Sequence, residues 1–132
     1  MSTKVSELSV ITKAKALSEY ILTVTEKSPK RFRFTLVTRL QNYSLDVIEA
    51  LISANEIYVS APDTEEAKER VKLQRKAMTS LKLLGYISEV AMRQGCILEK
   101  HYGQVTKQIY DVQNLLGAWM NSDKKRFTKD NS

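Results

Sequence analysis

The chain has 132 residues, 42% of them hydrophobic and 27% charged, a composition that fits one globular domain and excludes a disordered chain. The 21 Lys and Arg against 15 Asp and Glu give a net charge of +6, which favours polyanionic partners such as nucleic acid, although excess lysine also serves solubility. A single cysteine excludes an intramolecular disulfide, and no apolar run has the length of a signal peptide or a membrane span, so we expect a cytoplasmic protein without a membrane partner.

The first predicted element is a helix over residues 6–26. Its apolar residues recur at alternating spacings of four and three, which places them on one helical face: Val10, Ala14, Leu17, Ile21 and Val24. Ser28-Pro29 should end this helix, because proline disfavours the α conformation in the residue before it.

The second predicted helix covers residues 35–59, with Thr35 or Ser28 as its capping residue. One apolar stripe consists of Val37, Leu40, Val47, Leu51 and Ala54. A second, adjacent stripe consists of Leu45, Ile48 and Ile52. So wide an apolar face fits a helix covered both by its own domain and by a neighbouring subunit, or a central helix with no second partner.

The third predicted helix covers residues 64–94, with Asp63 or Thr64 as its cap and Gly95 at its C-terminal end. Its inward residues are Ala77, Leu81, Leu84, Ile87 and Ala91. The fourth covers residues 99–121. Its apolar seam is Tyr102, Val105, Ile109, Val112, Leu116 and Trp119. We therefore expect an all-α protein, an antiparallel up-down-up-down four-helix bundle over residues 1–122, followed by a flexible basic tail over residues 123–132.

Residues for site chemistry are scarce in this sequence. One histidine and one cysteine cannot form a structural zinc site, and the four glycines are too scattered to cradle a phosphate. A Cys96–His101 nucleophilic pair is the remaining enzymatic alternative. We therefore predict a non-enzymatic protein without catalytic residues, bound metal or other cofactor.

The most informative segment precedes the second helix. Five cations and no acid lie between Lys27 and Leu45. The four we assign to nucleic-acid or partner binding are Lys30, Arg31, Arg33 and Arg39. Such cations can contact phosphates, and Phe32 can stack on an unpaired base. Alternatively, Phe32 and Phe34 plug the end of the bundle, the interpretation we favour for Phe34, and Arg39 pairs with a carboxylate.

Two further basic groups are candidates for the same role. On the third helix these are Arg70, Lys72, Arg75 and Lys76, interleaved with acids. In the tail they are Lys124, Lys125 and Arg126. The acid-poor tail is suited to clamping a nucleic-acid backbone without sequence preference.

Several of these segments resemble one protein family. The sequence KRFRFTL at residues 30–36, followed by RLQN at 39–42, resembles the helix-two opening of the Avd-like four-helix-bundle proteins. These are the accessory variability determinants of diversity-generating retroelements, related to proteins encoded in ribosomal-RNA intervening sequences. VITKA at residues 10–14 and NLLGAW at 114–119 are similar to the start and the closing helix of that family. The resemblance covers about residues 8–122.

The resemblance implies a function as well as a fold. It implies a homopentameric barrel with a basic outer surface that binds a retroelement reverse transcriptase and its template RNA, or an RNA/DNA hybrid. Such a protein supports mutagenic cDNA synthesis without being catalytic itself. The alternative is an interaction protein of the intervening-sequence type, which has no reverse-transcriptase partner.

Overall fold

A computed structural model describes the backbone of residues 2–129 and the side chains of residues 9–127. Over this part of the chain the protein has four long α-helices and no strand, which confirms the all-α prediction. The helices are α1 (Ser2–Thr25), α2 (Thr38–Glu56), α3 (Glu65–Arg93) and α4 (Glu99–Lys129).

Each helix packs mainly against two others. The neighbours of α1 are α2 and α4, and the neighbours of α3 are likewise α2 and α4. This arrangement is compatible with a helical bundle. The predicted apolar seams meet in its core, where Leu17, Leu51, Leu81 and Trp119 are fully buried. The spacing of apolar residues therefore predicted which face of each helix is buried.

The entry into α2 differs from the prediction. A 3₁₀ turn over Lys30–Phe32 leads into a π-helical turn over Arg33–Val37, and α2 follows from Thr38. Neither predicted cap serves this helix, because the chain is already helical ahead of α2 and its N-terminus receives no side-chain cap. The Ser28 hydroxyl donates instead to the Cys96 carbonyl at 2.7 Å.

The two ends of α3 follow the local sequence signals. The hydroxyl oxygen of Thr64 accepts a hydrogen bond from the Ala67 backbone N–H at 3.1 Å, so Thr64 is the cap. Asp63 precedes it at φ 63°, and Gly95 follows α3 at φ 81°. Both lie in the left-handed region, which glycine and aspartate tolerate better than most residues.

Helix α4 continues beyond the predicted end at Asn121 as far as Lys129. Asp123 is buried, with 2% of its surface exposed, and Phe127 is half-buried. Part of the segment that we predicted to be a flexible tail is therefore helical and packed against the protein. Residues 130–132 lie outside the described part of the chain. None of the described helices has an apolar stretch long enough to cross a membrane.

Candidate nucleic-acid interface

The segment of residues 30–39, here called the basic turn, displays its cations on the surface. Lys30, Arg31 and Arg33 are all exposed. The guanidinium of Arg31 lies over the Phe32 ring, 4.4 Å from its centroid, which fixes that cation beside an aromatic plane. Phe32 itself is half-buried and packs against the core.

Phe34 is 85% exposed, so the prediction that it plugs the bundle is wrong. Residues two apart in a helical segment point to different sides, and only one of the two phenylalanines can face the core. Phe32 takes that position, although the sequence suggested it as the stacking residue. The ring available to an unpaired base is therefore that of Phe34.

Arg39 is exposed and has a partner other than the predicted carboxylate. Its guanidinium donates to the Tyr43 hydroxyl at 3.1 Å, one helical turn further along α2. A neutral hydroxyl orients the guanidinium without cancelling its charge. Arg39 therefore remains one of the exposed positive charges of the basic turn.

Arg70 does not lie where the sequence prediction requires. Only 4% of it is exposed, and its Nε and Nη2 donate to the two carboxylate oxygens of Asp123 at 2.8 and 3.0 Å. Nη1 donates to the Ile57 carbonyl at 3.2 Å, and the guanidinium lies 5.1 Å from the centroid of the Trp119 ring. The guanidinium of Arg70 is buried and paired inside the protein, so Arg70 does not belong to the candidate interface.

Three other cations of α3 meet the end of α4 at an open depression of about 460 Å³. Lys72 and Arg75 line it from α3, and Lys124 lines it from α4, so the fold joins two groups that are distant in the sequence. The lining also includes Lys68 and Phe127, which the sequence prediction did not select. Lys68 repeats one turn before Lys72, a spacing that could have revealed it.

The remaining predicted cations lie outside this depression. Lys76 and Lys125 are exposed. Arg126 donates to Asp123 at 3.3 Å, and its guanidinium lies 4.6 Å from the centroid of the Phe127 ring. Arg126 therefore contributes to the buried network around Asp123 as well as to the surface charge.

A second depression, of about 370 Å³, lies further along the same α3–α4 face. Three tyrosines line it: Tyr86 from α3, and Tyr102 and Tyr110 from α4. Tyr86 is 69% exposed and Tyr110 is 63% exposed. The sequence prediction missed these two. Both lie outside the predicted apolar seams, and this position could have indicated that their rings are exposed.

The basic turn and the cationic depression lie towards opposite ends of the helices. The hydrogen bond from Ser28 to Cys96 places the basic turn beside the C-terminal end of α3. Arg70 and the depression belong to the N-terminal part of that helix. At 1.5 Å per residue, about 30 Å of helix separates Lys72 from Arg93. The predicted cations therefore form two surfaces rather than one.

The two residues of the enzymatic alternative have different surroundings. Cys96 is buried, and this desolvation raises the pKa of its thiol, against the opposing effects of the Ser28 hydrogen bond and the Arg31 charge. A raised pKa disfavours the nucleophilic thiolate. His101 packs edge-on against Tyr20, with ring centroids 6.4 Å apart. Among the described residues, no group of His, Cys, Asp and Glu is placed to hold a metal ion.

Comparison with known proteins finds no family model that matches the chain and no curated protein that matches it.

Proposed function

We propose that this chain is a non-catalytic, basic accessory protein that binds a retroelement reverse transcriptase and its template RNA. The observation that carries the proposal is the basic turn, whose cations are exposed beside the exposed ring of Phe34. Cations of this kind bind phosphates, and an exposed aromatic ring beside them can hold an unpaired base. The reverse-transcriptase partner is proposed from the resemblance of residues 30–42 to the Avd-like family.

We further infer that the helices run up-down-up-down. Two contacts support this order. Ser28, after α1, contacts Cys96, after α3, so these two helices end on the same side. Ile57, after α2, contacts Arg70 near the start of α3, as expected for antiparallel neighbours joined by a short connection.

A homopentamer is part of the same proposal, and an apolar stripe on the surface supports self-association. Leu22 of α1 is 41% exposed, and Leu45 and Ile52 of α2 are 46% and 41% exposed. Ser44 donates to Ser18 at 3.1 Å, which places this side of α2 beside α1. Leu45 and Ile52 belong to the second stripe of α2, for which a neighbouring subunit is one of the two explanations.

Binding of template RNA is tested by filter binding over a salt series. We expect affinity to fall steeply with salt, because each phosphate contact releases counterions. Replacing Lys30, Arg31 and Arg33 by Glu should weaken binding strongly. The matched control replaces three exposed lysines elsewhere by Glu, namely Lys13, Lys15 and Lys107. Absence of RNA binding at low salt would overturn the proposal.

The protein partner needs a separate experiment. A reverse transcriptase encoded beside this chain should co-purify with it and make more cDNA in its presence. Absence of such a partner together with absence of RNA binding would favour the alternative, an interaction protein of the intervening-sequence type. RNA binding without such a partner would leave the nucleic-acid part of the proposal intact and overturn its reverse-transcriptase part.

A further inference from the structure

We propose that the α3–α4 face binds a single strand of nucleic acid, with phosphates at its cationic end, which is remote from the basic turn, and bases on Tyr86 and Tyr110. This inference rests on the proposed function, because it specifies which form of nucleic acid is held and where. The inference is based on residues that line the two depressions of this face.

At the cationic end, positive side chains surround an apolar floor. Lys68, Lys72 and Arg75 lie along one side of α3, and Lys124 faces them from α4. Asp63 is the acidic residue of this lining. Lys68 has an ion pair with Glu65 at 3.7 Å, but both side chains are largely exposed. Exposed pairs contribute little stability, so a phosphate can replace the carboxylate at small cost.

At the other end, the face changes from cationic to aromatic. Tyr86 and Tyr110 approach the depression from the two helices and leave most of their surface open to solvent. Gly85 lines the floor between them without a side chain. Lys82 and Glu89 at the rim carry opposite charges, so charge attraction is weak here. Two exposed aromatic rings beside a shallow floor are suited to stacking with bases.

The distance between the cationic end and the tyrosine end favours an extended strand over a compact ligand. From Arg75 to Tyr86 the rise along α3 is about 16 Å, which exceeds the size of one nucleotide. A strand of a few nucleotides can reach both ends at once, as in grooves that combine backbone charge with stacking platforms. In a duplex the bases are already stacked on each other, so the tyrosines favour the single strand.

The experiment measures the fluorescence anisotropy of a labelled oligouridine of about 12 nucleotides, and of a duplex of equal length, with the full chain. The aromatic variant is Tyr86→Leu with Tyr110→Leu, and its conservative counterpart is Tyr86→Phe with Tyr110→Phe. The leucine variant should bind the single strand at least about tenfold more weakly, and the phenylalanine variant should bind it nearly as well as the original chain.

The cations are tested by the salt dependence. Replacing Lys72 and Arg75 by Gln should make the slope of log affinity against log salt shallower by about 1.4, because each lost phosphate contact contributes about 0.7 on single strands. The control removes the same net charge elsewhere, with Lys13→Gln and Lys107→Gln, both exposed positions outside this face. Its slope should remain close to that of the original chain.

The outcomes separate this inference from the proposed function. Unchanged oligouridine binding by the leucine and glutamine variants, with loss of binding when the basic turn is altered, would overturn the α3–α4 site and leave the proposed function intact. Preference for the duplex would also overturn it. If the original chain binds no nucleic acid at low salt, both proposals fail.

Discussion

At the residue scale, the carboxylate of Asp123 determines how two helices meet. It accepts hydrogen bonds from Arg70 at 2.8 and 3.0 Å and from the amide of Gln74 at 2.9 Å. These three residues are 1–4% exposed. A buried ion pair offsets its desolvation cost only while both partners are present, so loss of one leaves an uncompensated charge inside the protein.

Replacing Arg70 by Ala should therefore lower the free energy of unfolding by about 3–5 kcal/mol. Urea denaturation followed by circular dichroism measures this change. Lys76→Ala, at an exposed position of the same helix, should change it by no more than about 0.5 kcal/mol. A well-packed apolar pair, Arg70→Met with Asp123→Leu, should recover much of the loss. Equal stability of the Arg70 and Lys76 variants would contradict this role.

The burial of Cys96 leads to a prediction about the free energy of unfolding at alkaline pH. Burial raises the pKa of its thiol in the folded protein above the ordinary value of 9.0. The unfolded chain then loses this proton at lower pH than the folded chain does, so the stability contributed by the neutral thiol is present below about pH 9 and declines as pH rises further.

The test compares the original chain with Cys96→Ala in urea denaturation between neutral pH and pH 10. We expect stability to fall more steeply with pH in the original chain, because only that chain carries the thiol. Identical slopes would contradict the effect of burial. Alkylation by iodoacetamide should also be slower in the folded protein than in urea.

Particular residues show why the sequence predicted only part of the candidate nucleic-acid interface. Lys72, Arg75 and Lys124 are exposed cations as expected, and Arg70 looks the same as they do in the sequence. Its burial depends on Asp123, 53 positions away, a pairing that no local pattern reveals. The choice between Phe32 and Phe34 depends on the 3₁₀ and π-helical turns that orient them, and the sequence carries no distinct signal for these turns.

At the element scale, the last two turns of α4 illustrate a helix stabilised by tertiary contacts. The composition of residues 123–129 is polar and basic, which predicted a frayed tail. Asp123 faces α3 and Phe127 lines the cationic depression, so this segment packs against its neighbour. Most helical stability in proteins comes from such packing rather than from intrinsic propensity.

Two truncations should separate the effect of this packing from that of chain length. A chain that stops after Phe127 keeps the Arg70–Asp123 pair and should unfold at nearly the temperature of the full chain. A chain that stops after Ser122 leaves Arg70 buried without that partner and should lose about 3–5 kcal/mol of stability. Thermal unfolding followed by circular dichroism measures both. Similar melting temperatures for the two truncations would show that this packing contributes little.

Other helix ends were predicted because their signals are local. Thr64 caps α3 through its own hydroxyl, and Gly95 ends that helix with a positive φ. Each depends on residues within a few positions, which a sequence displays directly. The spacing of Val105, Ile109 and Val112 likewise identified the buried face of α4 before any tertiary contact was known.

At the scale of the whole molecule, the exposed stripe of α1 and α2 leads to a prediction about assembly. In the proposed pentamer, a chain of 15.1 kDa should give a particle of about 75 kDa in light scattering coupled to gel filtration. Replacing Leu45 and Ile52 by Lys should reduce this mass to that of the monomer, because charges in an apolar interface remain unpaired.

The control for this change places lysines at exposed apolar positions in the connections, Tyr58→Lys and Leu98→Lys. This variant should keep the mass of the original protein. Helical content should be the same in both variants if only assembly is affected. A monomeric original chain, or an unchanged mass after the Leu45 and Ile52 replacements, would contradict the proposed interface.

The separation of the two cationic surfaces has a consequence for ligand length. If both surfaces hold nucleic acid, a short oligonucleotide occupies either the basic turn or the cationic end of the α3–α4 face, because about 30 Å of helix lies between them. Once a strand is long enough to span that distance, its second contact becomes intramolecular, and the effective concentration of the free segment replaces its bulk concentration. If both surfaces hold nucleic acid, affinity should therefore rise abruptly at one strand length, by about a hundredfold or more, rather than in proportion to the number of phosphates.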